Sequence, residues 1–220
     1  MDKVENRAIC KECGGYCCKK CGCDYFVSDF ESLKIENIEE LLATGRVSIV
    51  AALEFIRTRN DELIANPFLY LRARNINRGE IDLLSFKTTC ASLTEEGCFF
   101  DLEKRPSGGA CLIPKVEKNT ICCYSEVDRT EELRKWAPYQ TVLQKVVKRH
   151  TGMSVYSRLR MDAENLFYDI LSENFEGVAK AELVDVLSGI GQMMIAFPEE
   201  YQNALIKSKN AKKLIYKKDK

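Results

Sequence analysis

The chain has 220 residues, 45% of them hydrophobic and 30% charged, an ordinary balance for a globular protein of one domain or two small ones. Its 33 Lys and Arg cancel its 33 Asp and Glu, which argues against a globally basic nucleic-acid binder. Eleven cysteines are an odd number and cannot all pair within one chain, and with a single histidine, His150, any metal site has to be built almost wholly from sulfur.

Residues 1–26 are a cysteine-rich lead. The stretch CKECGGYCCKKCGC places six cysteines, Cys10, Cys13, Cys17, Cys18, Cys21 and Cys23, within fourteen residues. Gly14, Gly15 and Gly22 permit the tight turns that let such sulfurs converge. The opening MDKVENRAIC lacks the apolar run of a secretory signal, and the longest apolar stretches, such as Val47 to Leu53, are far shorter than the roughly 20 residues a membrane helix needs. The expected location is therefore cytoplasmic, with no membrane contact. In that reducing compartment crowded cysteines point to metal more than to disulfides.

Beyond the lead, Ser28 with Glu31 fits a capping box. Leu33, Ile38, Leu41 and Leu42 predict an amphipathic helix ending near Gly45. Val47 to Arg57 reads as a second helix capped by Ser48. Residues 58–79, charged and broken by Pro67, read as loop, and Ile81 to Phe86 as a short strand or helix end. A second cysteine region follows, with Cys90, Cys98, Cys111, Cys122 and Cys123 among Gly97, Pro106, Gly108, Gly109 and Pro114. Such a stretch predicts turns whose order depends on a metal staple.

Past Asp128 there are no cysteines and apolar residues recur at helical spacing. One stripe runs Val142, Leu143, Val146, Val147 toward His150. A second takes Val155, Leu159, Leu166, Phe167, Ile170 and Leu171 to Gly177. A third takes Leu183, Val186, Leu187, Ile190, Met193 and Met194 to a stop before Pro198. His150 reads as a helix-end cation, and Trp136, Tyr139 and Tyr156 as packing residues. From Lys207 seven lysines face one acid, Asp219, so a basic and flexible tail is expected over 207–220, with at most a weak nucleic-acid contact. These features together predict a mainly α protein. Its divisions are a metal-stapled cysteine region over 1–127, a helical region over 128–206 and the tail.

The chemistry lies in the thiols. Cys10/Cys13 and Cys18/Cys21 are two CxxC pairs, whose turns let two sulfurs reach one ion while backbone amides face them. Adjacent Cys17 and Cys18 diverge in extended backbone, so either one is spare, or they serve different metals, or sulfur bridges a multinuclear cluster. The expected ligand set joins the two cysteine regions. Cys10, Cys13, Cys17 and Cys18 act with Cys98 and Cys122, and Cys90, Cys111, Cys21 and Cys23 are secondary members. The bound species is zinc or an iron–sulfur cluster, in a structural, storage or redox role. Arg105 reads either as a counter-charge to thiolates or as a loop residue.

The pattern CxxCxxxCC at Cys10 to Cys18, followed by Gly97-Cys98, Arg105-Pro106 and Cys111, resembles the zinc- or iron-chelating cysteine-cluster proteins of the YkgJ-like family. Flagellin lysine-N-methylases carry a related cluster. The resemblance spans about residues 10–124 and implies metal binding; through the methylases it also implies the alternative of protein lysine methylation. Two departures stand out. Cys111 lies five residues after Pro106 where the family places a cysteine three after, and Cys21 and Cys23 are additional.

Overall fold

The structure is a computed structural model that describes residues 18–19, 22–76, 78–85, 89–95, 97–113, 123–124, 128–172 and 190–218. Its elements in order are helix α1 (Ile35–Ala43), strands β1 (Val47–Arg57), β2 (Leu63–Ala73), β3 (Leu93–Thr94) and β4 (Gly97–Cys98), short helix α2 (Ser107–Ala110), strands β5 (Leu112–Ile113) and β6 (Cys123–Tyr124), then helices α3 (Arg129–Arg134), α4 (Gln140–Thr151), α5 (Val155–Leu171) and α6 (Pro198–Lys218). With about 51% helix and 20% strand the chain is mixed α/β, not mainly α as expected.

The main cause of that correction is one hairpin. Val47 to Arg57 is strand β1, not a helix, and it pairs with β2, which runs through the segment around Pro67 that reads as loop. Val47, Ile49 and Val50 are β-branched, and outward from Ala51 burial alternates residue by residue, the period of a pleated strand. Pro67 is tolerated because each strand of a two-stranded ribbon has an outer edge, where a missing N–H costs no ladder bond. The turn closes through Thr58 N donating to Glu62 O at 2.8 Å, with Asp61 left-handed at φ 63°.

At its inner end the ribbon widens. Asp24 bridges Arg72 and Ile81 bridges Ile49, so short pieces of chain flank both strands. Tyr25 N donates to Leu71 O at 2.9 Å and Ala73 N to Cys23 O at 2.8 Å. These bonds lay residues 23–25 along β2. The segment with Ser28 is a 3₁₀ turn, Val27–Asp29, so the α-helix starts later than the capping signal suggests, at Ile35. It buries Ile38 and Leu42 and ends, as expected, at Gly45, whose φ of 69° favours glycine.

The chain divides into two units. The first is Met1–Ala52 with Phe68–Gly152; the second is Leu53–Pro67 with Met153–Lys220. In the first, Trp136 is fully buried, donates Nε1–H to Tyr25 O at 3.1 Å and meets Phe30 edge-on. Gln140 clamps Leu69 by accepting from its N–H and donating to its carbonyl, both at 2.8 Å. Helix α4 buries Leu143, Val146 and Val147, the expected stripe, packs on α1, and leaves His150 exposed in its last turn.

In the second unit, Ser154 caps α5, accepting from Ser157 N. Helices α5 and α6 pack through Leu159, Ala163, Phe167 and Ala204, with Phe167 edge-on to Tyr201 at 5.5 Å. Arg160 pairs with Glu199 at 2.5 Å and with the buried Glu200. Residues 190–196 are helical, and Pro198, the expected stop, opens α6, whose backbone carries the segment from Lys207 to Lys218. Gly177 and residues 183–189 lie outside the described residues. No helix among the described residues is long and apolar enough to cross a membrane.

Candidate metal centre

Three cysteines from two stretches of chain pack together in the first unit, and a fourth lies nearby. Cys23 and Cys90 are buried against Ala73, and Cys18 packs on that cluster from its rim. Cys98, half-buried, is near enough to act electrostatically on both Cys23 and Cys90.

Backbone pairing puts them there. Cys90 N donates to Cys18 O at 2.7 Å, and Cys90 bridges Asn75 just past the end of β2. Ala91 N bonds Arg74 O at 2.8 Å, which holds the second cysteine region to the ribbon. Cys98 lies opposite Leu93 in the small β3–β4 hairpin, whose turn needs the φ of 107° at Gly97. Phe99 N returns to Ser92 O at 2.7 Å.

Two glycines complete the site from the far side. A Cβ on Gly109 would stand 2.4 Å from Cys23 Sγ and 3.0 Å from Cys23 Cβ; one on Gly108 would stand 2.4 Å from the Asp24 carbonyl oxygen. Helix α2 therefore presses bare backbone against Cys23 and Asp24. Asp29 fixes it there, accepting from Ser107 N at 3.0 Å and Phe26 N at 2.9 Å and from the Ser107 hydroxyl. The stem of Arg105 passes the same spot, its Cδ 3.6 Å from the Gly109 Cβ position.

The electrostatics follow from burial. Desolvation, then the charges of Cys18, Cys90, Cys98 and Asp24, push the Cys23 thiol well above its ordinary value. Burial also raises Cys90. Opposing it are the Ser92 amide, which donates to Cys90 Sγ at 3.4 Å, and the positive charge of Arg72. Without a cation, burial favours the protonated form of Cys23 and Cys90. A divalent or cluster-borne positive charge reverses the balance, because it stabilises all the thiolates together.

Among the described residues, no three His, Cys, Asp or Glu side chains stand at the spacing of a metal's ligand shell. The donor set nevertheless fits a thiophilic metal in three respects. It is sulfur from distant segments, it has an amide donating to sulfur, and it has a glycine face that leaves room for Cys23 Sγ. Of the expected ligands, Cys18, Cys23 and Cys90 pack together, and Cys98 lies nearby. Cys10, Cys13, Cys17, Cys21 and Cys122 lie outside the described residues. Cys111 is buried at the end of α2, where its N–H bonds Ser107 O at 2.9 Å.

Sequence reading missed the ion group behind the sulfurs. Asp24, almost fully buried, faces Arg72 Nε at 3.3 Å and Arg129 Nε at 2.5 Å. Arg72 also donates to Ser85 Oγ at 3.0 Å, and Arg129 to Tyr70 Oη at 3.4 Å. These residues are scattered along the chain and carry no local signal. The Gly-Gly pair did carry one, since adjacent glycines mark close backbone approach as well as turns.

Comparison of the chain with family models, with curated proteins and with solved structures finds no match. The likeness to the YkgJ-like cysteine-cluster proteins thus rests on the motif residues alone.

Proposed function

We propose that this chain is a metal-binding protein of the reducing cytoplasm, whose first unit gathers thiolates around zinc or an iron–sulfur cluster in a structural, storage or redox role. The observation that carries the reading is the packing of Cys18, Cys23 and Cys90 from separate stretches into one partly buried group, with Cys98 nearby. Hydrophobic packing alone would be served better by valine or leucine at these positions. Cys18, Cys23, Cys90 and Cys98 would hold the metal, joined by thiols of the leading CxxC pairs. The bound ion would supply charge neutralisation and a covalent staple for a loop-rich region with little apolar core of its own.

The test is elemental and sulfide analysis of full-length protein prepared without oxygen, together with its visible spectrum. Stoichiometric zinc in colourless protein, or iron with acid-labile sulfide in brown protein, is the expected result. Cys23→Ser and Cys90→Ser should lose the metal, while Cys111→Ala keeps it. Protein with fully reduced thiols and neither metal would overturn the proposal. Binding of S-adenosylmethionine by the loaded protein would turn the reading toward the methyl transfer that the resemblance implies.

A further inference from the structure

The ribbon that carries Cys23 has two faces. Extended backbone alternates, so Cys23 and its partner Ala73 point to the sulfur side, and Asp24 with its bridge partner Arg72 points to the other. Arg72 is well buried, with its side chain 14% exposed; its Nη1 donates to Ser85 Oγ at 3.0 Å, and its Nε stands 3.3 Å from Asp24 Oδ1 as an ion pair without a hydrogen bond. Ser85 takes a left-handed φ of 42°. Such a conformation is uncommon outside glycine and persists where its surroundings enforce it.

A cation so placed needs a reason. One buried carboxylate, Asp24, stands between two guanidiniums, Arg72 and Arg129, and the three sum to +1. A centre of four thiolates around a divalent ion, or around a doubly charged cluster, sums to −2. The two lie on opposite sides of a single layer of backbone, where low dielectric lets charge act across it.

We propose that Arg72 is a positioning residue for the metal centre, a buried counter-charge that favours a net anionic thiolate complex, and that Asp24 aims it while moderating its strength. The proposal rests on the metal-binding reading above. It predicts effects of opposite sign from the two members of one ion pair, which a merely structural pair would not give.

The experiment measures metal affinity of the full chain by competition with a chromophoric chelator. It uses zinc for affinity and cobalt(II) for the sulfur-to-metal charge-transfer band. Arg72→Met should weaken binding about tenfold or more and shift that band, and Arg72→Lys should restore most of the loss, as expected for a charge acting at short range in low dielectric. Asp24→Asn should leave affinity unchanged or raise it. If these variants do not fold, Ser85→Ala loosens Arg72 without stranding a charge and should cost roughly two- to threefold. Equal weakening by Arg72→Met and Asp24→Asn would overturn the proposal. So would wild-type affinity in Arg72→Met, or in Ser85→Ala where that is the variant that folds. Wild-type protein that holds no metal removes the underlying reading; wild-type protein that holds metal while the Arg72 variants bind equally well removes only the role of Arg72.

Discussion

Gly109→Ala puts a methyl group where Cys23 already is. The new Cβ would sit 2.4 Å from Sγ and 3.0 Å from Cβ of Cys23, against an optimum of about 3.5–4.0 Å, so the sulfur contact is short by more than about 1 Å. Backbone cannot relieve it cheaply, because α2 is anchored by Asp29 through Ser107. The soft coordinate is rotation of Cys23 about its single χ1, which carries the sulfur away from Cys18 and Cys90. Overpacking of this kind costs about 1–3 kcal/mol. Replacing glycine within a helix returns at most about 1 kcal/mol. The net loss is up to about 2 kcal/mol, and each kcal/mol corresponds to roughly 2–4 °C of melting temperature for a chain of this size. Melting of the metal-free protein and the rate at which Cys23 reacts with a thiol reagent give the two readouts. Metal content should fall with them, since the displaced atom is an expected ligand. Gly108→Ala is the contrast: its Cβ meets the Asp24 carbonyl oxygen at 2.4 Å, a backbone atom with no rotamer to change, so its stability loss should be the larger. A Gly109→Ala protein with wild-type melting and wild-type thiol reactivity would refute the packing argument.

Trp136→Phe should destabilise the first unit by on the order of 2 kcal/mol, from lost volume at a fully buried site and from leaving the Tyr25 carbonyl without its Nε1–H donor; chemical denaturation followed by near-ultraviolet circular dichroism would report it. The metal-free protein should lose stability in alkali. The Cys23 and Cys90 thiols are raised by burial above their ordinary 9.0, so their contribution is complete below pH 9.0 and is lost as pH climbs beyond it toward their folded-state values. Denaturant midpoints flat from pH 9 to 11 would contradict this. Treatment of loaded protein with a strong chelator should open residues 18–113 to protease while the α5–α6 pair, which contains no cysteine, keeps its helicity. Uniform resistance throughout would mean that the metal holds nothing together.

The elements legible in the sequence were those with a single dominant period. Leu143, Val146 and Val147, and then Leu159 and Phe167, repeat every three or four residues and form helices as expected. VSIVAALEFIR was ambiguous for a physical reason. Its Val and Ile favour a strand, its Ala-Ala-Leu-Glu favours a helix, and its apolar residues run together at the buried end. The partner strand decided the matter, and that partner contains Pro67, which discourages a strand assignment from local signals. The meeting of the early and late cysteines was readable from residue type. Which of them lie at the centre was not, because that depends on Gly109 and Ala73, and neither carries chemistry of its own. Asp24, Arg72 and Arg129 were invisible, since an ion pair between residues 105 positions apart leaves no trace in spacing.

The sulfurs of this site do not come off the ribosome together. Cys18 and Cys23 leave the exit tunnel well before Cys90 and Cys98 are made. At the usual pace of synthesis, about 5–20 residues per second, the 75 residues from Cys23 to Cys98 take about 4–15 s. Asp29 waits similarly for Ser107, its clasp partner 78 residues later. During that interval the earliest thiols of each newborn chain stand reduced and without their later companions. On the proposed metal-binding reading, the abundance of metal and the redox poise of the cell in those seconds would bear directly on how much correctly assembled protein accumulates.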